Sequence, residues 1–289
     1  MEVGEASEPR IVLEDPSLLA FYKPPRMHCA PGRGSGDLCA WVRERYPETG
    51  GGMGGQGARD GQELRAGRQL GDSRAPRAAA EGYLLHRLDF ETSGLVLFAR
   101  DAEAFGALLE EQARGLFRKE YFAFCATSGE PRPAGSIPTR GFPSGVEEGA
   151  WAAARGRGDG LALLELLGAA GASRVCSAFR PFGPKGARVA CLLQAGEGPR
   201  PIYVSELLGP ADCALPSSPG SEPVCIGLRV GLARGFRHQI RAHLAWIGLP
   251  ISGDELYGGA ADRRLRLHAV ALEFVHPRTG RTLRVEADP

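Results

Sequence analysis

The sequence predicts an α+β fold: a mixed, largely antiparallel sheet with flanking helices. Three observations lead there. Short apolar runs of strand length are separated by Pro, Gly and Asp turn signals. Helical periodicities occur, but strands and helices do not alternate with βαβ regularity. No fixed-period repeat is present, which sets solenoids and propellers aside. At 289 residues and 43% hydrophobic content, the chain is long and apolar enough to bury a core. It has no uninterrupted apolar run of roughly 18 residues, so no membrane span is expected.

Taken in order, Ile11–Leu13 and Leu18–Tyr22 are β-prone and flank Asp15-Pro16-Ser17, a hairpin signal that Pro24-Pro25 terminates. Asp37 is placed to cap a helix carrying Leu38, Trp41 and Val42 on one face, closed by Pro47. Residues 48–80 hold Gly, Arg and Asp but almost no large apolar side chains, and a flexible insertion is expected there. Leu95–Ala99 reads as a buried strand. Asp101 caps the next helix, with Phe105, Leu108 and Leu109 on one face and Gly115 at its end. Lys119–Ala126 reads as a strand. Residues 128–220 are a variable region rich in Gly and Pro, with a helix at Leu161–Leu167 and strands at Arg188–Leu193 and Ile202–Leu208. A strand at Val224–Leu232 follows. From Arg237 to Ile247 the spacing is helical, and Gly248 and Pro250 stop it.

Charge is nearly balanced: 35 basic against 34 acidic residues, a net of +1. Only Lys23, Lys119 and Lys185 are lysines, an arginine bias that reads either as codon usage in a GC-rich genome or as an arginine-dependent anion site, which the positions of individual arginines decide. Residues 229–289 nevertheless carry ten arginines and six acids, a local surplus of +4 that hints at an anionic partner. The seven cysteines include no C-x-x-C pair and no zinc-ligand spacing with histidine. They read as scattered buried thiols in a reducing compartment. The acidic first residues resemble neither a secretory signal nor a transit peptide, so a cytoplasmic location is expected. No phosphate-binding G-x-x-x-x-G-K-[ST] loop occurs. The G-x-G-x-x-G spacing at Gly50, Gly52 and Gly55 follows no strand and opens no helix.

Two stretches carry chemistry. In His86–Ala99 (H-R-L-D-F-E-T-S-G-L-V-L-F-A), Asp89 lies on a polar turn just before a buried strand. Extended backbone puts Arg87 and Asp89 on one side and Leu88 on the other. Thr92, Ser93 and Gly94 can bond the backbone locally and fix where the carboxylate points. An aspartate before such a turn is also an ordinary turn residue. In Arg234–Tyr257, Ile240, Leu244 and Ile247 form an apolar stripe with Arg237 and Arg241 on one border. A solvated helix edge has the same spacing. His238 and His243 are five apart and do not share a face, which argues against a two-histidine metal site.

These residues resemble the RluA-type pseudouridine synthases. The resemblance rests on five blocks in family order: E-D-P-S-L-L-A-F-Y-K-P-P; H-R-L-D-F-E-T-S-G-L-V-L-F-A; K-E-Y-F-A; R-H-Q-I-R-A-H-L-A-W-I-G-L-P-I-S-G-D-E-L-Y-G; and L-R-L-H-A-V-A-L-E-F-V-H-P-R-T-G. It covers about a quarter of the chain. It implies a pseudouridine synthase-like sheet with a central RNA-binding cleft, and residues 1–289 as a single catalytic domain. It also implies isomerisation of specific uridines to pseudouridine in structured RNA, ribosomal or transfer, without cofactor or metal. The alternative is a non-catalytic RNA-binding or chaperone relative. By position, Asp89 is the catalytic carboxylate, Arg241 pairs with it, Tyr121 packs against the target base, and Arg87 helps hold the flipped nucleotide. His86, Thr92, Arg237, His238 and Gln239 fall among the RNA- or base-binding positions. A monomer is the expected state. Two local departures stand out: Gly235-Phe236-Arg237 replaces the family's Gly-Arg-Thr, and Leu249 replaces a frequent histidine.

Overall fold

A computed structural model describes residues 8–31, 36–47, 49, 75–127, 143–157, 159–171, 173–192, 200–210 and 224–288. In chain order the strands are β1 (Arg10–Glu14), β2 (Leu18–Lys23), β3 (Ser93–Ala99), β4 (Arg118–Thr127), β5 (Ser173–Phe182), β6 (Arg188–Leu192), β7 (Tyr203–Pro210), β8 (Val224–Leu232), β9 (Leu267–Val275) and β10 (Thr282–Glu286). The helices are α1 (Leu38–Arg45), α2 (Ala75–Ala80), α3 (Ala102–Arg114), α4 (Glu148–Gly156), α5 (Gly160–Ala170) and α6 (Gln239–Ile247). The pairs β1–β2, β2–β3, β5–β6, β5–β7, β7–β8 and β9–β10 are all antiparallel, so the expected α+β class holds. The chain forms two compact units, Met1–Lys119 with Ala269–Pro289, and Glu120–His268.

In the first unit the strand order is β1-β2-β3-β9, with β10 on β9. The expected hairpin forms where expected, and Asp15 closes its turn by accepting from the Ser17 amide at 2.7 Å. Strands β2 and β3 are buried on both faces, which is why they read as continuous apolar runs rather than alternating ones. Leu18, Ala20, Leu95 and Leu97 pack with Phe105 and Leu108 of α3 and with Phe117 and Phe274. Phe21 belongs to a second set of contacts, its ring lying against Trp41, Tyr46 and Phe98 at 5.3–5.7 Å. Both expected caps are present. Asp37 accepts from the Ala40 amide at 2.9 Å and Asp101 from Ala104 at 2.8 Å.

In the second unit the order is β4-β8-β7-β5-β6. Helix α6 packs on β5, β6 and β7. Trp151 of α4 is fully buried and donates its indole N–H to the Ile247 carbonyl at 2.9 Å. The expected helix from Arg237 begins two residues later, because His238 is left-handed (φ 56) and breaks the helical run. Gly248 ends it in the left-handed conformation (φ 95) that favours glycine. Every residue of α6 is buried, so its arginine is not on a solvated edge.

Of the stretch expected to be flexible, residues 75–80 form α2; the rest lies outside the described residues, apart from Thr49 in a turn. In the 128–220 region the expected helix and strands appear as α5, β6 and β7, while α4 and β5 were not foreseen. Cys29, Cys39 and Cys125 are buried, but Cys176 is exposed, against the expectation of buried thiols. Among the described residues no helix is long and apolar enough to cross a membrane.

Gly94 adopts φ 115 where β3 meets β9, and a Cβ there would sit 2.3 Å from the Ala269 carbonyl oxygen. Gly94→Ala is therefore expected to cost about 3 kcal/mol or more, from backbone strain and forced separation of the strands. Urea unfolding measures this; a loss below about 1 kcal/mol would contradict the close approach.

Candidate active site

Asp89 belongs to the first unit. Its segment leaves the edge of β3, where Leu85 donates to the Leu97 carbonyl at 3.0 Å, and then runs extended. Burial alternates as extended backbone requires: His86 and Leu88 are buried, Arg87 is exposed and Asp89 is half-buried. The Thr92 amide donates to the Asp89 carbonyl at 3.1 Å and closes the turn that leads into β3.

Two residues that sequence reasoning left without a role hold this turn from beneath. Lys23, at the end of β2, is fully buried. Its Nζ donates to the carbonyls of Pro24 and Met27 at 2.9 Å and of Phe90 at 3.3 Å. All three ammonium protons are thereby used. Burial pulls the Lys23 pKa down to about 8, against the opposing pull of Cys29 and the carboxylates of Asp89 and Glu91. Cys29 is also buried; its Sγ accepts from the Leu88 amide at 3.2 Å and donates to the Leu88 carbonyl at 3.5 Å. The backbone is thus gripped on both sides of Asp89, at Leu88 and at Phe90. The sequence signal was a rare lysine followed directly by two prolines.

The neighbours expected to touch RNA are placed differently from one another. Arg87 is half-exposed and paired with Glu81 at 2.5 Å. His86 is inside the core: its Nε2 accepts from the Leu97 amide at 3.4 Å and its ring lies 5.8 Å from that of Phe117. Among the described residues its Nδ1, like the buried Thr92 hydroxyl, has no hydrogen-bond partner. Burial, reinforced by the Lys119 ammonium, pushes the His86 pKa down to about 3. Neither His86 nor Thr92 presents its side chain to solvent.

Tyr121, Arg241, Arg237, His238 and Gln239 belong to the second unit. Arg241 is buried, and its Nε and Nη2 donate to the two carboxylate oxygens of Asp254 at 2.7 and 2.8 Å. Asp254 Oδ1 also accepts from the Tyr257 amide at 3.2 Å, and the Tyr257 ring centroid lies 5.3 Å from the guanidinium carbon. This fork-on-fork geometry fixes the guanidinium plane as well as its charge. Asp254 stands in the motif D-E-L-Y, yet nothing in its spacing to Arg241 announced the pair.

Tyr257 carries the arrangement outward. Its hydroxyl accepts from the Val189 amide at 2.9 Å and meets His238 Nδ1 at 3.0 Å. Arg237 lies before the helix and donates to the carbonyls of Gly186 and Arg188. Gln239 is buried and spent on structure: its amide nitrogen donates to the Val204 carbonyl at 2.9 Å, and its oxygen accepts from the Phe236 amide at 3.0 Å. Phe236, the departure from the family's arginine, stacks on Phe179 at 5.0 Å. Tyr121 lies buried on β4, next to Glu120, which Arg229 holds at 2.6 Å. His243 is wedged between Ser177 and Ser205 at 2.9 and 2.8 Å, and burial pushes its pKa down to about 3. Among the described residues no group of three or more His, Cys, Asp or Glu is gathered as metal ligands would be.

The family model described as RNA pseudouridylate synthase matches residues 17–246. An uncharacterized RNA pseudouridine synthase of Chloroflexus aurantiacus is 29% identical over 260 residues, 88% of this chain and 57% of that protein. The ribosomal large subunit pseudouridine synthase C of Escherichia coli is 27% identical over 215 residues, 71% of this chain and 51% of that protein. The chain thus spans little more than half the length of these relatives. The solved structure of human RNA pseudouridylate synthase domain containing 1 matches in fold, with a TM-score of 0.56 at 17% identity, over 100% of this chain and 86% of that one.

Two outcomes follow from the buried charges. Asp254→Asn removes one partner of a fully desolvated pair and is expected to cost about 3–5 kcal/mol in urea unfolding; a change under about 1 kcal/mol would mean that solvent reaches Arg241. His86 and His243 bind a proton at pH 5 only in the unfolded chain, because their folded pKa values lie below the ordinary 6.5. The stability tied to their neutral forms is complete above pH 6.5 and is lost as pH falls toward 3. Between pH 6.5 and 5 the loss is about 2 kcal/mol per histidine. Unfolding free energies that stay flat over that window would contradict both placements.

Proposed function

The chain belongs to the RNA pseudouridylate synthase family, and from that premise we propose that it isomerises uridine to pseudouridine in RNA, with Asp89 as the catalytic carboxylate. The observation that carries the assignment is the grip on both flanks of Asp89 by Lys23 and Cys29. Asp89 is half-exposed, and the backbone on either side of it is tied at Leu88 and Phe90 by buried groups.

The reaction breaks the bond from N1 of the base to C1′ of the sugar and makes a bond from C5 to C1′. The C5 proton is lost to solvent and N1 is left carrying a proton, so atoms and electrons balance without redox change or hydrolysis. An ionised carboxylate acting as nucleophile or base suffices, and the reading invokes no cofactor. The carboxylate of Asp89 acts favourably on the buried Lys23 ammonium. The target nucleotide must leave its stack, at a cost of a few kcal/mol. Tyr121 offers a flat face for the freed base, worth roughly 1–3 kcal/mol. Arg241, locked by Asp254, and the exposed Arg87 supply cations for the nucleotide. The relative named for the large ribosomal subunit favours ribosomal RNA over transfer RNA as the substrate; a cytoplasmic location and a monomeric state are part of the same proposal.

Asp89→Asn keeps the shape of the side chain and removes its charge. With RNA tritiated at C5 of uridine, the variant is expected to release no tritium above background while binding the same RNA within about twofold of the parent. Tritium release at the parental rate would remove Asp89 from the mechanism. A parent protein that binds RNA but releases none would point to the non-catalytic relative instead.

A further inference from the structure

The β5–β6 hairpin of the second unit has no part in the chemistry above. Residues 173–192 contain Arg174, Arg180, Lys185 and Arg188 and no carboxylate. Arg174, at the far end of β5, is matched by Glu206 at 3.5 Å. Among the described residues, neither Arg180 nor Lys185 has a carboxylate partner, and both are exposed. Phe182 pairs across the strands with Arg188, whose guanidinium carbon lies 4.9 Å from the phenyl centroid. Arg180 lies two residues along the strand from Phe182 and shares its face. The tip turns through Gly183-Pro184-Lys185-Gly186, and Lys185 itself is left-handed (φ 52). Glycine or asparagine would occupy that conformation at less cost.

The hairpin is also firmly mounted. Arg237 donates to the carbonyls of Gly186 and Arg188, the Arg188 guanidinium donates to the Leu256 carbonyl at 3.3 Å, and the Val189 amide donates to the Tyr257 hydroxyl. Tyr257 in turn lies under Arg241. The loop that supplies Arg237 adds the exposed Arg234, and no carboxylate occurs from residue 224 to residue 253. A well-anchored hairpin whose Arg180 and Lys185 have no carboxylate partner among the described residues is suited to a polymer of evenly spaced phosphates.

We propose that the β5–β6 hairpin is an RNA-backbone contact, with Lys185 and Arg180 meeting phosphates of the substrate outside the nucleotide that reacts. This rests on the RNA reading above and extends it to a surface. The lysine count makes a direct measurement possible: Lys23 and Lys119 are buried, so Lys185 is the exposed lysine of the chain. Amine acetylation read by mass spectrometry on the full chain should label Lys185 fast in the free protein. Saturating uridine-containing RNA should slow that labelling at least about fivefold, while polyglutamate of similar length at equal ionic strength should not. Lys185→Glu and Arg180→Glu should each weaken RNA binding by about three- to tenfold and lower the slope of log affinity on log salt by about 0.7. Lys185→Arg should restore both, and kcat at saturating RNA should be unchanged in all three.

RNA bound and converted by a protein whose Lys185 labels at the free rate would overturn the hairpin proposal and leave the enzyme reading intact. Equal protection by polyglutamate would overturn it too, in favour of an acidic-protein surface. A parent protein that binds no RNA sinks both readings together.

Discussion

The ammonium of Lys23 is the contact on which the first unit's site depends. A cation taken fully out of water is costly unless its hydrogen bonds are replaced and a field compensates its charge. Here three carbonyls replace the bonds, and the carboxylates of Asp89 and Glu91 supply the field. One of those carbonyls belongs to Phe90, 67 residues away, so satisfying the lysine also ties the end of β2 to the turn after Asp89. Losing the ammonium would leave desolvated carbonyls as well as a slack turn. Cys29 adds a softer contact on the other flank, where a thiol both accepts from and donates to the backbone of one residue, Leu88.

The second unit meets the same difficulty with a different solution. Helix α6 is buried all round, yet it carries an arginine, a histidine and a glutamine. Each persists because its polar atoms are answered at short range. Arg241 is answered by a matching carboxylate, His243 by two serine hydroxyls, and Gln239 by backbone groups and Ser205. The network of Asp254, Arg241, Tyr257 and His238 runs from the helix core to Val189, beside the tip of the β5–β6 hairpin. A surface contact on that hairpin is therefore mechanically continuous with a guanidinium in the interior.

What was readable from the chain alone was local. The hairpin around Asp15, the caps at Asp37 and Asp101 and the stop at Gly248 all depend on bonds spanning two to five residues, and each formed where expected. The start of α6 was not readable. His238 has its ring bonded to Tyr257, 19 residues further on, and a helical period carries no trace of such a contact. Helix α4 was missed because its segment is mostly small residues, and Trp151 finds its partner in the Ile247 carbonyl, 96 residues away.

The sequence by itself determined the fold class, the family and the turn on which Asp89 lies, because apolar period, turn chemistry and ordered motifs are properties of neighbouring residues. Only the tertiary structure decided which side chains are spent in holding others. Lys23 serves Phe90, Asp254 serves Arg241, and His86 and Gln239 are turned inward rather than toward a ligand. The physical reason is that a polar group's role depends on what stands within about 3 Å of it when water is excluded, and folding alone brings those partners together.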